Sequence, residues 1–138
     1  MSAVFVDTNI IIDLLCKRSP WFKDAQKLYS LAEQKEIDLY CSSLTLATAY
    51  YVMERYKISH QDILESIEHL CRVCTPTLVD ASVVQKAIHS LFSDFEDALQ
   101  YFSAKTVNAD IIITRNLKDL AVSEIPVMTA EYYLETFE

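Results

Sequence analysis

Short β-branched runs alternate with amphipathic stretches along these 138 residues, which predicts an α/β domain with a mainly parallel sheet. Three observations carry the prediction. "AVFVD" (3–7), "IDLYCSS" (37–43) and "ADIIITRN" (109–116) read as strands, and helical spacing fills the sequence between them. No two of these runs are joined by a hairpin signal. With 51% hydrophobic residues, the chain can bury the core of one compact domain spanning 1–138.

Ala3 to Val6 form a short buried strand that runs straight into Asp7. "TNIIIDLLCKR" carries apolar residues on more than one face and predicts a short buried helix. "SPWFKDAQKLYSLAEQKE" predicts a helix with Ser19 as cap and Pro20 in the first turn, where proline is tolerated. "IDLYCSS" alternates as a half-buried strand does. "SLTLATAYYVMERY" follows as a helix capped by Ser43. "SHQDILESIEHLCR" is another, capped by Ser59, with Ile63, Ile67, Leu70 and Cys71 facing inward. "VCTPTLVD" predicts a short edge strand and loop, because Pro76 removes a ladder donor.

"DASVVQKAIHSLF" predicts a helix burying Val83, Val84, Ala87, Ile88 and Leu91. In "SDFEDALQYFSAKTVN", Ser93 and Glu96 have the spacing of a capping box. "ADIIITRN" is the clearest strand of the chain, "IPVMT" a short last one, and "TAEYYLETF" a terminal helix. Glycine is absent, so Asn108 is the natural residue to take a left-handed conformation and close a helix before the next strand.

The formal net charge of −8 argues against binding through a broad basic surface, while leaving room for a local nucleic-acid site or a basic partner. No apolar run approaches the roughly 20 residues that cross a bilayer, and the first residues lack a basic leader with an apolar segment. Cys16, Cys41, Cys71 and Cys74 lie scattered in apolar settings and read as packed, reduced thiols, which points to the cytoplasm. Cys71 and Cys74 have C-x-x-C spacing, but they lack a second pair to complete a zinc site. His60 and His89 read as surface residues on amphipathic helices, and one of Tyr50 and Tyr51 is free to serve an interface.

In parallel α/β sheets, sites form outside the carboxyl ends of the strands. That rule brings Asp7, the segment Thr114 to Asn116 and nearby helix starts to one rim. A carboxylate at the end of a buried strand needs a partner. For Asp7 the sequence leaves open a backbone cap, a basic side chain or a metal ion. Asp94 and Asp97 stand three apart at a helix start and share a face. Carboxylates converging there would repel, and a divalent ion resolves the conflict; oxygen ligands without His or Cys favour Mg²⁺ or Mn²⁺ over zinc. Asp119 alone reads as a surface acid, with an inward reach towards the site as the alternative. Arg115 is the one clear local cation, a phosphate contact or a partner of Asp119.

"VFVDTNIIIDLL", "SDFEDALQYFSA", "ADIIITRNLKDL" and "IPVMTAEYYL", in this order and spacing, resemble the PIN domain family, and most closely a bacterial VapC-like branch with a "SDFEDALQ"-type helix. The resemblance implies a three-layer α/β/α fold and Mg²⁺- or Mn²⁺-dependent cleavage of RNA. It further implies a possible antitoxin protein as partner and a homodimer. Asp7 then matches the first metal-site acid, and Asn9 the small polar residue behind it. Asp97 matches the acid of the later helix, with Asp94 an additional one. Thr114 and Asn116 match the segment after the fourth strand, and Asn9, Thr114, Arg115 and Asn116 become candidate substrate contacts.

Two departures matter. Thr48 stands where the family commonly has an acid in the helix after the second strand, and Asn116 is a neutral amide in place of a carboxylate. The function expected is therefore divalent-metal-dependent phosphodiester hydrolysis of RNA with a depleted acid set, as in the toxin of a toxin–antitoxin pair. The alternative is a catalytically impaired PIN-fold module that binds RNA or a protein.

Overall fold

The computed structural model describes residues 1–137. Among them, five strands make one parallel sheet, ordered β3-β2-β1-β4-β5. The strands are β1 Ser2–Val6, β2 Ile37–Ser42, β3 Cys74–Thr77, β4 Ile111–Ile113 and β5 Val127–Met128. They alternate with α1 Thr8–Leu15, α2 Phe22–Glu33, α3 Ser43–Arg55, α4 His60–Cys71, α5 Ala81–Ile88, α6 Phe95–Lys105 and α7 Ala130–Thr136, and a 3-10 turn covers Leu117–Leu120.

Strand periodicity explains the three layers. Val4 and Val6 pack on one face with Ile11, Leu28 and Tyr133 of α1, α2 and α7. Phe5 points the other way, onto Tyr101 and Ala104 of α6 and Ile112 of β4. Both faces of β1 are thus covered, which is why its sequence is continuously apolar instead of alternating. Each fully buried side chain of this kind contributes about 1.5–3 kcal/mol. A smaller cluster joins α5 to α6 through Val83, Ala87, Ala98 and Leu99.

Local chemistry shifts several expected boundaries. Ser42 caps α3 in place of Ser43, its hydroxyl accepting from the Thr45 N–H at 3.1 Å. Ser19 caps nothing: α2 begins at Phe22, whose N–H donates to the Arg18 carbonyl, and the Ala25 N–H donates to the Trp21 carbonyl. Asp94 caps α6 instead of Ser93. The helix α5 stops at Ile88, and Ser90 donates to the Ala87 carbonyl at 2.8 Å. Past that stop Leu91 leaves the helical face, and both Ile88 and Leu91 are exposed, not buried.

Four non-glycine residues take positive φ: Lys17 (51°), Lys35 (60°), Lys57 (60°) and Asn108 (51°). Asn108 acts as its residue type suggests. Each lysine instead directly follows a helix C-cap, where its cation also suits the negative end of the helix dipole.

The four cysteines are free thiols. Cys41 and Cys74 are buried on neighbouring strands, and this contact together with burial pushes the Cys74 thiol well above its usual range. Cys71 is exposed rather than packed, because α4 turns Leu70 inward in its stead. No described helix is long and apolar enough to cross a membrane.

Candidate active site

From β1 the chain steps to β2 and β3 on one side, then returns to place β4 and β5 on the other. The switch point of the sheet therefore lies between β1 and β4, where α/β proteins open a crevice. Asp7 and Thr114 sit at the carboxyl ends of these two strands. The Asp7 N–H donates to the Ile113 carbonyl at 2.9 Å, which extends the register and fixes both residues on the same rim.

Asp7 is 7% exposed, and its partners are now explicit. Oδ1 accepts from the Thr8 N–H at 2.8 Å, so Asp7 caps α1; Oδ2 accepts from the Thr114 hydroxyl at 2.8 Å and, more weakly, from the Asn9 amide at 3.4 Å. The Thr114 hydroxyl in turn accepts from the Asn116 N–H at 3.1 Å. Thr114, fully buried, thus orients Asp7 and does not reach out to a substrate. Asn116 itself is exposed. Among the described residues Asp7 has no basic partner. Burial raises its pKa, the hydrogen bonds from Thr114 and Thr8 oppose the rise, and the charges of Asp119 and Asp94 add to it.

Asp7, Asp94, Asp97 and Asp119 border one open hollow, together with Asn9, Asn116 and Arg18. Asp94 contributes as the cap of α6, Oδ1 accepting the Asp97 N–H at 3.0 Å, and that cap holds Asp97 beside it in the first turn. Burial first, then the charges of Asp94, Asp7, Asp119 and Glu96, push Asp97 up to about 7. Asp119, which reads as a surface acid from sequence, comes to this rim because the turn after β4 folds back across it.

Beneath the hollow lies a polar network that sequence reading missed. Thr8 and Thr45 share a hydrogen bond of 2.8 Å, and the buried Gln100 amide donates to both hydroxyls, the bond to Thr45 measuring 3.1 Å. Its carbonyl oxygen has no partner among the described residues. The Thr8 hydroxyl is therefore engaged inward, although the residue borders the hollow. In α3 it is Thr45 that reaches towards α1 and α6, whereas Thr48 bonds back to the Leu44 carbonyl at 3.4 Å and does not line the hollow. The clue was a buried-side glutamine between apolar neighbours in "DALQYF", which needs hydrogen-bond partners.

Arg115 also has a different partner from Asp119. Its Nε donates to Asp13 at 2.9 Å and a terminal nitrogen at 3.3 Å, while Arg18 pairs with the same carboxylate at 2.8 Å. Asp13 is 0% exposed. A buried acid needs such compensation, and "IIIDLL", an acid inside an apolar helix, was the available signal. Arg115 lies over the Trp21 ring, its guanidinium carbon 3.8 Å from the ring centroid.

The donor set of the hollow suits a hard cation. It is all oxygen, its negative charge is uncompensated except for nearby Arg18, and two of its acids are raised by crowding and burial. Among the described residues no three His, Cys, Asp or Glu side chains are grouped closely enough to enclose an ion.

Comparison with known proteins bears on the family and the fold. The PIN domain family matches residues 3–118. The chain is 31% identical over 137 residues to Ribonuclease VapC1 of Aquifex aeolicus (strain VF5), covering 96% of this chain and 93% of that protein. Among solved structures it is similar to VapC20 of Mycobacterium tuberculosis, a toxin that cleaves the sarcin–ricin loop, with a TM-score of 0.62 and 17% identity over 80% of this chain and 87% of that one. It is also similar to VapBC2 of Rickettsia felis, solved bound to a DNA fragment from its promoter, with a TM-score of 0.63 and 18% identity over 91% and 96% of the two chains.

Proposed function

Because the chain belongs to the PIN domain family, we propose that it is a divalent-metal-dependent ribonuclease, the toxin of a toxin–antitoxin pair. The observation that carries this reading is the hollow at the switch point of the sheet, where Asp7, Asp94, Asp97 and Asp119 meet. Its relatives support the reading: VapC1 is named a ribonuclease, and VapC20 a toxin that cleaves the sarcin–ricin loop.

Asp7, Asp94 and Asp97 would hold Mg²⁺ or Mn²⁺ between them, in part through the waters the ion keeps, with Asp119 supplying charge that the neutral Asn116 does not. When bound, the ion supplies an acidified water and charge neutralisation at the scissile phosphate. The chain's own groups prepare the site. The Thr8 N–H and the Thr114 hydroxyl fix both oxygens of Asp7 before any ligand arrives, which lowers the cost of ordering it. Asn9 and Asn116 stand on the rim as amide donors for phosphate oxygens. Arg18 adds positive charge there even while paired with Asp13, since Asp13 carries one negative charge against two arginines. Arg115 acts from behind, holding Asp13 and Trp21 in place.

The partner in this reading is an antitoxin protein whose basic groups suit a chain of net charge −8. The protein would work in the cytoplasm as a homodimer. Incubation of single-stranded RNA with the protein in Mn²⁺, Mg²⁺ or chelator tests the activity. Metal-dependent cleavage, abolished by Asp97→Asn, supports it. RNA binding without cleavage in any metal would assign the chain to the impaired, binding-module class instead.

A further inference from the structure

Trp21 is the one tryptophan of the chain, and it stands 42% exposed between α1 and α2. It is nonetheless held in one orientation. Arg115 stacks on it at 3.8 Å, and Arg115 is clamped by two bonds to Asp13, which is wholly buried. The indole and the guanidinium border a pocket of about 350 Å³ with Ile10, Asp24, Asn116 and Glu131. Asn116 also borders the acidic hollow, so the two cavities adjoin.

We propose that this pocket seats one base of a single-stranded RNA, next to the phosphate that the acidic hollow cuts; the assignment rests on the ribonuclease reading. A volume near the low end of small-ligand sites, about 300–1,000 Å³, holds one base and its sugar and excludes a helix. Unstacked RNA bases are recognised by aromatic and arginine planes, with hydrogen bonds to the base edge. Trp21 supplies the plane, backed by Arg115. Asp24 and Glu131 accept from amino or imino N–H groups of a base edge and repel a phosphate, which leaves the phosphate outside, by Asn116 and Arg18. The base pocket thus sets which nucleotide flanks the cleaved bond.

Because Trp21 is the one tryptophan, its emission reports on this pocket without any turnover. The four nucleoside 5′-monophosphates are titrated in Mg²⁺ buffer, with ribose 5-phosphate as the base-free control. Saturable quenching by nucleotides and none by ribose 5-phosphate is expected. An equal response to both, or no response to nucleotides, overturns the proposal; quenching by N-acetylarginine amide alone would give the pocket to a basic protein side chain and also overturn it. In RNA cleavage, Trp21→Ala is expected to raise KM roughly 5- to 150-fold with kcat little changed, the worth of one stacked base, and Trp21→Tyr to recover most of the loss. An unchanged KM in Trp21→Ala overturns the base pocket while leaving the ribonuclease reading intact. Nucleotide quenching in a chain that cuts no RNA does the reverse.

Discussion

Asp97 shows how one residue records the state of its site. Its carboxyl is pushed up to about 7, by burial and then by Asp94, Asp7, Asp119 and Glu96. In the unfolded chain the same group ionises near 3.9. Between these values the folded state holds a proton that the unfolded state has lost, so the metal-free protein loses stability as pH rises through that window and levels off above it. Asp97→Asn is therefore expected to melt higher than wild type at pH 8 without metal, with the gap closing below about pH 4. Equal melting curves at pH 8 would mean the acids do not crowd one another. Asp13 is a buried acid of another kind, because its charge has partners. It is buried and paired with Arg18 and Arg115, and Asp13→Ala strands both cations. Since each arginine retains some contact with solvent, the cost is expected at the low end for broken buried pairs, about 3 kcal/mol, measured by denaturant unfolding.

At the scale of elements, sequence and structure agree where one physical signal dominates. "ADIIITRN" is β-branched, apolar and short, and it forms β4 as expected. Helix starts were less legible, because Ser42 and Ser43 offer adjacent hydroxyls, as Ser93 and Asp94 offer adjacent acceptors, and tertiary placement selects one. The choice at α6 has a consequence. Asp94→Asn retains a cap while removing a charge beside Asp97, so it should be neutral to stabilising without metal, whereas Asp94→Ala should cost about 1 kcal/mol of cap energy. Equal stability of the two variants would rule out capping by Asp94. The lysines at positive φ were invisible, since residue type gave no hint without a glycine to mark the turn. Lys35→Gly should raise stability by about 1 kcal/mol, the strain of a left-handed non-glycine residue, seen as a shifted denaturant midpoint with unchanged slope.

Across the whole molecule, the site is legible where topology alone determines it. A parallel sheet carries strand ends and helix starts to one rim, so Asp7, Asp94 and Asp97 could be placed there from order along the chain. Side-chain pairing could not. Asp13, Thr45 and Gln100 depend on which faces of α1, α3 and α6 meet, Trp21 on where the segment after β4 lies, and Arg115 found Asp13 across 102 residues of sequence. The same distant packing brings Asp119 to the rim that Asn116 leaves short of charge. Asp7 joins these levels, since it ends the central strand, caps α1 and faces the hollow. In Asp7→Asn the amide oxygen still accepts the Thr8 N–H, and its NH₂ meets a hydroxyl able to accept, so the fold is expected to stand. The decisive measurement is Mn²⁺-dependent cleavage of single-stranded RNA by wild type and Asp7→Asn, with circular dichroism confirming that both are folded. Cleavage by wild type and none by folded Asp7→Asn is expected; equal cleavage by the two would show that the chemistry lies elsewhere.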